Sequence, residues 1–169
     1  MKTKVANSND YQINTPVLFM AFNRFEVAQE VFFAIRKVKP LKLYFAIDGA
    51  RDSHSGEEEK VDKIRSFVLN NIDWECDVKT LIRKENLGCK NALSEAIDWV
   101  FENEEQAIIL EDDCVPSFSF FIFCQELLEK YKNDENIMHI SGTHHLEDYT
   151  KINSSYYLSK LVGFWGWAS

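Results

Sequence analysis

The sequence predicts an α/β protein of three layers, with helices on both faces of a mostly parallel central sheet. Short continuous apolar runs alternate along the chain with amphipathic helical stripes, the signature of strands joined by helical crossovers. The 169 residues are 46% hydrophobic and 27% charged, enough apolar material for one core and too much for a disordered chain. No internal repeat, low-complexity tract or linker divides the sequence.

The elements follow in order. Thr15-Pro16 opens the run Val17-Leu18-Phe19-Met20-Ala21-Phe22, which reads as a strand buried on both faces. After Asn23-Arg24, apolar residues at Val27, Ala28, Val31, Phe32, Ile35 and Val38 form one helical stripe, which Pro40 ends. Residues 41–47 make a second strand that stops at Asp48-Gly49, and the polar loop 50–56 leads to a stripe at Val61, Ile64, Val68 and Ile72. Residues 78–83 are a third strand, Asn86-Leu87-Gly88 a turn, and Cys89, Ala92, Leu93, Ala96, Ile97 and Val100 the buried face of a third helix. Residues 107–110 form a fourth strand that runs into Glu111-Asp112-Asp113. Beyond Pro116 a helix carries Phe120, Phe121, Leu127, Leu128 and Tyr131. Its phenylalanines spread around much of its circumference, and burial is expected for them. Residues 137–140 suggest a fifth strand and Tyr156-Tyr157-Leu158 a further one. The closing Gly163-Phe164-Trp165-Gly166-Trp167-Ala168-Ser169 carries aromatics that need burial or a partner, or a sugar face on which Trp165 or Trp167 stacks.

Charge narrows the function. Lys and Arg number 19 against 27 Asp and Glu, a net charge of -8, which argues against a nucleic-acid partner. A small phosphorylated ligand remains compatible, because helix termini, one or two arginines and a divalent cation neutralise it locally. Cys76, Cys89, Cys114 and Cys124 show no metal or redox spacing and no secretory signal precedes them, so reduced thiols and a cytoplasmic location are expected. The most apolar stretch, residues 118–124, is too short to span a bilayer, which leaves at most peripheral membrane association.

In parallel α/β sheets ligands sit beyond the carboxyl ends of the strands. Those ends present Asn23-Arg24, then Asp48-Gly49 with Arg51, then Asn86-Leu87-Gly88 with Lys90-Asn91, then Glu111-Asp112-Asp113. Three adjacent carboxylates in a half-buried site repel one another, and a divalent cation is the economical relief. Oxygen ligands without nearby Cys or His point to Mg²⁺ or Mn²⁺ completed by a bound diphosphate. On a continued strand Glu111 and Asp113 share a face and Asp112 points the other way.

The blocks Thr15-Pro16-Val17 through Asn23-Arg24, Phe45-Ala46-Ile47-Asp48-Gly49, Glu85-Asn86-Leu87-Gly88, Ile109-Leu110-Glu111-Asp112-Asp113-Cys114 and Gly163-Phe164-Trp165-Gly166-Trp167-Ala168 together resemble bacterial GT-A fold glycosyltransferases. These belong to the nucleotide-diphospho-sugar transferase superfamily. Glu-Asp-Asp stands where that family has Asp-X-Asp, as in N-acetylglucosaminyltransferase I enzymes. The resemblance implies one nucleotide-sugar-binding domain over residues 15–169, after a flexible leader over 1–14 and with its acceptor side incomplete at the C-terminus. It implies that Asn23 and Arg24 lie beside the nucleotide, with Arg24 on the diphosphate. Asp48 would accept hydrogen bonds from base or ribose, and Gly49 would let the backbone pass close to the ligand. Asn86, Gly88 and Lys90 would line the nucleotide pocket. Asp113 would be the direct metal ligand, with Glu111 nearer the sugar hydroxyls and Asp112 nearer the ribose.

The implied reaction transfers a sugar from a nucleotide diphosphate donor, such as a UDP-sugar, to a hydroxyl of a glycan or lipid-linked glycan during cell-surface glycan assembly. Glu147 and Asp148 are the late acidic residues available as a general base, and a solvated loop explains them better. His139, His144 and His145 invite a metal reading, but adjacent histidines alternate in direction and a strand-end loop accounts for them. A non-catalytic nucleotide- and metal-binding domain and a metal-dependent phosphohydrolase are the alternatives.

Overall fold

The computed structural model describes residues 11–143 and 154–169 of the chain. In order come β1 (Val17–Ala21), α1 (Phe25–Val38), β2 (Lys42–Ile47), α2 (Glu57–Asn70), β3 (Asp77–Ile82), α3 (Gly88–Phe101), β4 (Ile108–Glu111), α4 (Phe118–Tyr131), β5 (Ile140–Ser141) and β6 (Trp167–Ala168). The strands form one sheet in the order β3-β2-β1-β4-β6-β5. The pairs β1–β2, β2–β3 and β1–β4 are parallel, and β6 runs antiparallel to both its neighbours. The three-layer α/β architecture expected from the alternation is therefore the one observed.

All five residues of β1 are buried, which is why the run is apolar without alternation. Alternate side chains still serve different layers. Val17, Phe19 and Ala21 join a large core with α1, α2 and α4, whose buried stripe includes Phe32, Ile35, Ile64, Val68, Phe121 and Leu128. Leu18 and Met20 point to the other face, where Tyr44, Ala46 and Ile109 meet Ala96 and Val100 of α3. Each fully buried large side chain here contributes about 1.5–3 kcal/mol of transfer free energy, and Phe19 and Phe45 add a stacked ring pair across adjacent strands. The register sets Met20 beside Glu111 and Ala21 beside Ile47, so β1, β2 and β4 end on one rim.

Several expectations change. Tyr11 to Asn14 do not behave as a leader: Ile13 is fully buried, its carbonyl accepts from Leu41 N (3.1 Å), and Asn14 N donates to Gln125 Oε1 (2.7 Å). Ile72 falls outside α2. The fifth strand shrinks to Ile140–Ser141, because Ile137 N closes a turn onto the Asp134 carbonyl. Tyr156 to Leu158 form no strand, and the last strand is Trp167–Ala168, inserted between β4 and β5. On α3 only Ala96 and Val100 are buried. The phenylalanines of α4 are buried or packed against the large core, as expected. All four cysteines are free, and no helix among the described residues is long and apolar enough to cross a membrane.

Candidate functional site

A cavity of about 360 Å³ opens at the carboxyl ends of β1, β2 and β4. Met20, Ala46, Ala92 and Leu93 supply its apolar wall, and Arg24, Arg51, Arg83, Asp48, Asn86, Glu111 and Asp112 its polar rim. The first turns of α3 stand over this cavity, where Ala92 and Leu93 are only partly buried, and Leu93 also packs against the core on that face of the sheet.

Asp48, the residue after β2, is buried at 6% exposure. Its carboxylate takes hydrogen bonds from Gly49 N (3.0 Å), Asn86 Nδ2 (3.0 Å), Leu87 N (3.1 Å) and Gly88 N (3.1 Å). The anion at the N-terminus of α3 is thus the chain's own, where an anionic ligand was expected. Asn86 also donates to the Gly49 carbonyl (2.8 Å). A Cβ on Gly49 would lie 2.5 Å from the Glu85 carbonyl carbon, so the close approach of the 85–88 loop is what needs this glycine in the fold. Lys90 is exposed and outside the cavity lining.

Glu57 forms a second buried node, with its side chain 5% exposed. It accepts from Asn23 Nδ2 (2.7 Å), from Arg51 N (2.8 Å) and Nε (2.9 Å), and from the other arm of the Arg51 fork. Asn23 therefore braces α2 instead of facing the cavity. The Arg51 guanidinium lies over the Phe22 ring, 5.5 Å from its centre. Hydrogen bonds from Arg51, opposed by burial, hold the Glu57 carboxyl down at about 2. Because the unfolded value is higher, about 4.3, this group stabilises the fold above that pH and the contribution is lost as pH falls towards 2. Glu57→Gln is expected to unfold more easily than the parent at pH 5 and to lose less on going to pH 3. Thermal melts at the two pH values check this, and equal pH slopes would sink it.

The acidic triplet does not continue the strand. β4 ends at Glu111, and Cys114 N closes onto the Glu111 carbonyl (3.1 Å), so Asp112 and Asp113 lie in a turn. Asp112 is buried, accepts from Phe22 N (3.3 Å) and pairs with Arg24. Asp113 pairs with the same Arg24 nitrogen at 3.0 Å, so the expected strand alternation gives way to a shared cation. Arg24 thus balances two of the three carboxylates, Asp112 and Asp113, and leaves Glu111 without a cationic partner of its own at this contact. Glu111, half-buried on the cavity, is pushed up by burial first and then by Asp113 and Asp112. Burial also raises Asp112, against the pull of Arg24.

Among the described residues no three His, Cys, Asp or Glu side chains gather to hold an ion. The donors suit a Mg²⁺ or Mn²⁺ shared with phosphate, which needs only one or two carboxylates. Glu111 and Asp113 are the two not buried; Asp112 is spent on Phe22 and Arg24. His139 is elsewhere: it stacks on Trp167 at 5.0 Å and its Nε2 bonds the Gly163 carbonyl (2.9 Å). Trp165, 58% exposed, donates its indole N–H to the Asp113 carbonyl (3.1 Å). His144, His145, Glu147 and Asp148 lie outside the described residues. Sequence reasoning passed over Glu57 and Arg83 as site residues. Arg83 was within reach of the strand-end rule, since it follows β3 directly; it pairs with Glu95 of α3 (3.0 Å).

The sheet and its helices define a three-layer α/β fold whose mostly parallel sheet carries a cavity at its strand ends. Among solved structures, the chain is similar to the mannosyltransferase PcManGT from Pyrobaculum calidifontis in complex with GDP-Man and Mn²⁺. The TM-score is 0.50 at 15% identity, and the match covers 78% of this chain and 36% of that one. The likeness is therefore one of fold, and it spans about a third of the mannosyltransferase's length. No family model and no curated protein matches the sequence.

Proposed function

We propose that the chain binds a nucleotide diphosphate sugar in the strand-end cavity, with Mn²⁺ or Mg²⁺, and serves transfer of the sugar to an acceptor hydroxyl of a glycan. The observation that carries this reading is the chemical division of the one cavity. Its apolar wall of Met20, Ala46, Ala92 and Leu93 suits a base, Arg24, Arg51 and Arg83 suit phosphate oxygens, and Glu111 suits sugar hydroxyls. Asn86 and Gly88 line the nucleotide end. Asp48, Gly49 and Asn23 act one step back, by fixing the loops that do so. Asp113, with Glu111, would hold the cation, which when bound stabilises negative charge on the departing diphosphate. Arg24 would bind a phosphate oxygen on the same side. We place the reaction at the cytoplasmic face, with a free or lipid-linked glycan as acceptor.

Calorimetric titration of the chain with UDP, GDP and dTDP, each with and without Mn²⁺, tests the reading. One nucleotide is expected to bind, and to bind more tightly with the metal; matching nucleotide sugars then narrow the donor. A folded chain that binds none of them overturns the proposal. Release of inorganic phosphate from simple phosphate esters would instead favour a phosphohydrolase.

A further inference from the structure

Arg24 stands on the cavity rim between two carboxylates. It is the N-cap residue of α1 and lines the cavity, with a half-exposed side chain. One guanidinium nitrogen bonds both Asp112 and Asp113. The two carboxylates differ in freedom. Asp112 is only 7% exposed and is held from behind by Phe22 N, so it is a fixed anchor. Asp113 is 38% exposed and is the carboxylate Arg24 can leave without stranding a buried charge.

We infer that Arg24 makes cation binding conditional on an anionic ligand. In the free chain its positive charge, 3.0 Å from the Asp113 oxygen, repels a divalent cation from that oxygen across a half-buried, poorly screened site. A diphosphate arriving in the cavity offers the guanidinium fork a better-matched partner. Arg24 keeps Asp112, turns from Asp113 to a phosphate oxygen, and frees Asp113 for the cation. No bond is made or broken; one ion pair is exchanged for two. Arg24 is then a specificity-determining residue: it lets metal in with phosphate and keeps metal out alone. By linkage the cation must tighten the diphosphate by the same factor as the diphosphate tightens the cation. The inference rests on the proposed donor site, but its first test does not require the nucleotide.

The full chain is titrated with MnCl₂ alone, following loss of the free-Mn²⁺ electron paramagnetic resonance signal. Arg24→Gln is expected to bind Mn²⁺ at least about tenfold more tightly than the parent, within the usual range of coupling between sites. Adding Asp113→Asn to that variant is expected to remove the gain. Arg24→Ala repeats the comparison should the glutamine variant fail a circular-dichroism and melting check. Equal Mn²⁺ affinity for parent and variants, tight or weak, overturns the inference, as does a gain that survives Asp113→Asn. The parent is then titrated with the nucleotides above. Nucleotide binding with an unchanged manganese comparison discards the role of Arg24 alone. The expected manganese result without nucleotide binding discards the donor reading and leaves the block by Arg24 standing.

Discussion

Asp48→Ala is expected to destabilise the chain by about 3 kcal/mol or more, because buried donors that lose their acceptor cost about 1–3 kcal/mol each. The N–H groups of Gly49, Leu87 and Gly88 all end on this one carboxylate, and Asn86 keeps only its bond to the Gly49 carbonyl. For a chain of this size that is a fall in melting temperature of about 6–12 °C. Asp48→Asn is expected to lose nearly as much, since its amide places an N–H against the N–H groups of Leu87 or Gly88. Nucleotide affinity should fall in parallel, as the 85–88 loop leaves the cavity wall. The pairing of the two losses separates this account from one in which Asp48 contacts the base directly. Direct contact predicts lost affinity at an unchanged melting temperature. Calorimetric melts and nucleotide titrations of the two variants decide between them.

The strands were legible because β1, β2 and β4 are buried on both faces, which leaves continuous apolar runs that need no partner to be seen. The carboxyl ends of these strands and of β3 then placed Arg24, Asp48, Asn86, Glu111 and Asp112 on one rim, and the structure brings all five to one cavity. What each of these residues bonds was not legible, because it depends on sheet order. Arg24 and Asp112 are 88 residues apart in the chain and meet only because β1 and β4 are neighbours. Without that adjacency an acidic triplet reads as a bare metal site and Arg24 as a free phosphate ligand. Asp48 likewise meets the Asn86 loop through the β2–β3 pairing. The Trp167–Ala168 strand was missed for a different reason: two residues carry no periodicity, and the pairing with Ile108 and Ile140 is what makes them a strand.

Gly49→Ala is expected to be the most damaging change of a single methyl group in the site. Gly49 does not sit in the left-handed region, so its backbone suits any residue. The obstacle is space, since an added Cβ would meet the carbonyl carbon, oxygen and nitrogen of Glu85 at 2.5, 2.6 and 2.8 Å. Backbone atoms cannot rotate away as a side chain would, so the whole 85–88 loop must shift. That shift pulls Asn86 from the Gly49 carbonyl and Leu87 and Gly88 from Asp48. Overpacking usually costs about 1–3 kcal/mol, and backbone against backbone belongs at the top of that range, a fall of about 6–12 °C in melting temperature. Gly56→Ala provides the contrast: its φ of 77° strains an alanine, but no atom lies within 4 Å of the new Cβ. Its cost is expected to be only about 1 kcal/mol, with nucleotide affinity kept. Equal losses in the two variants, measured by calorimetry, would mean that the loop yields and that the missing side chain at Gly49 is not what lets the 85–88 loop pack so closely.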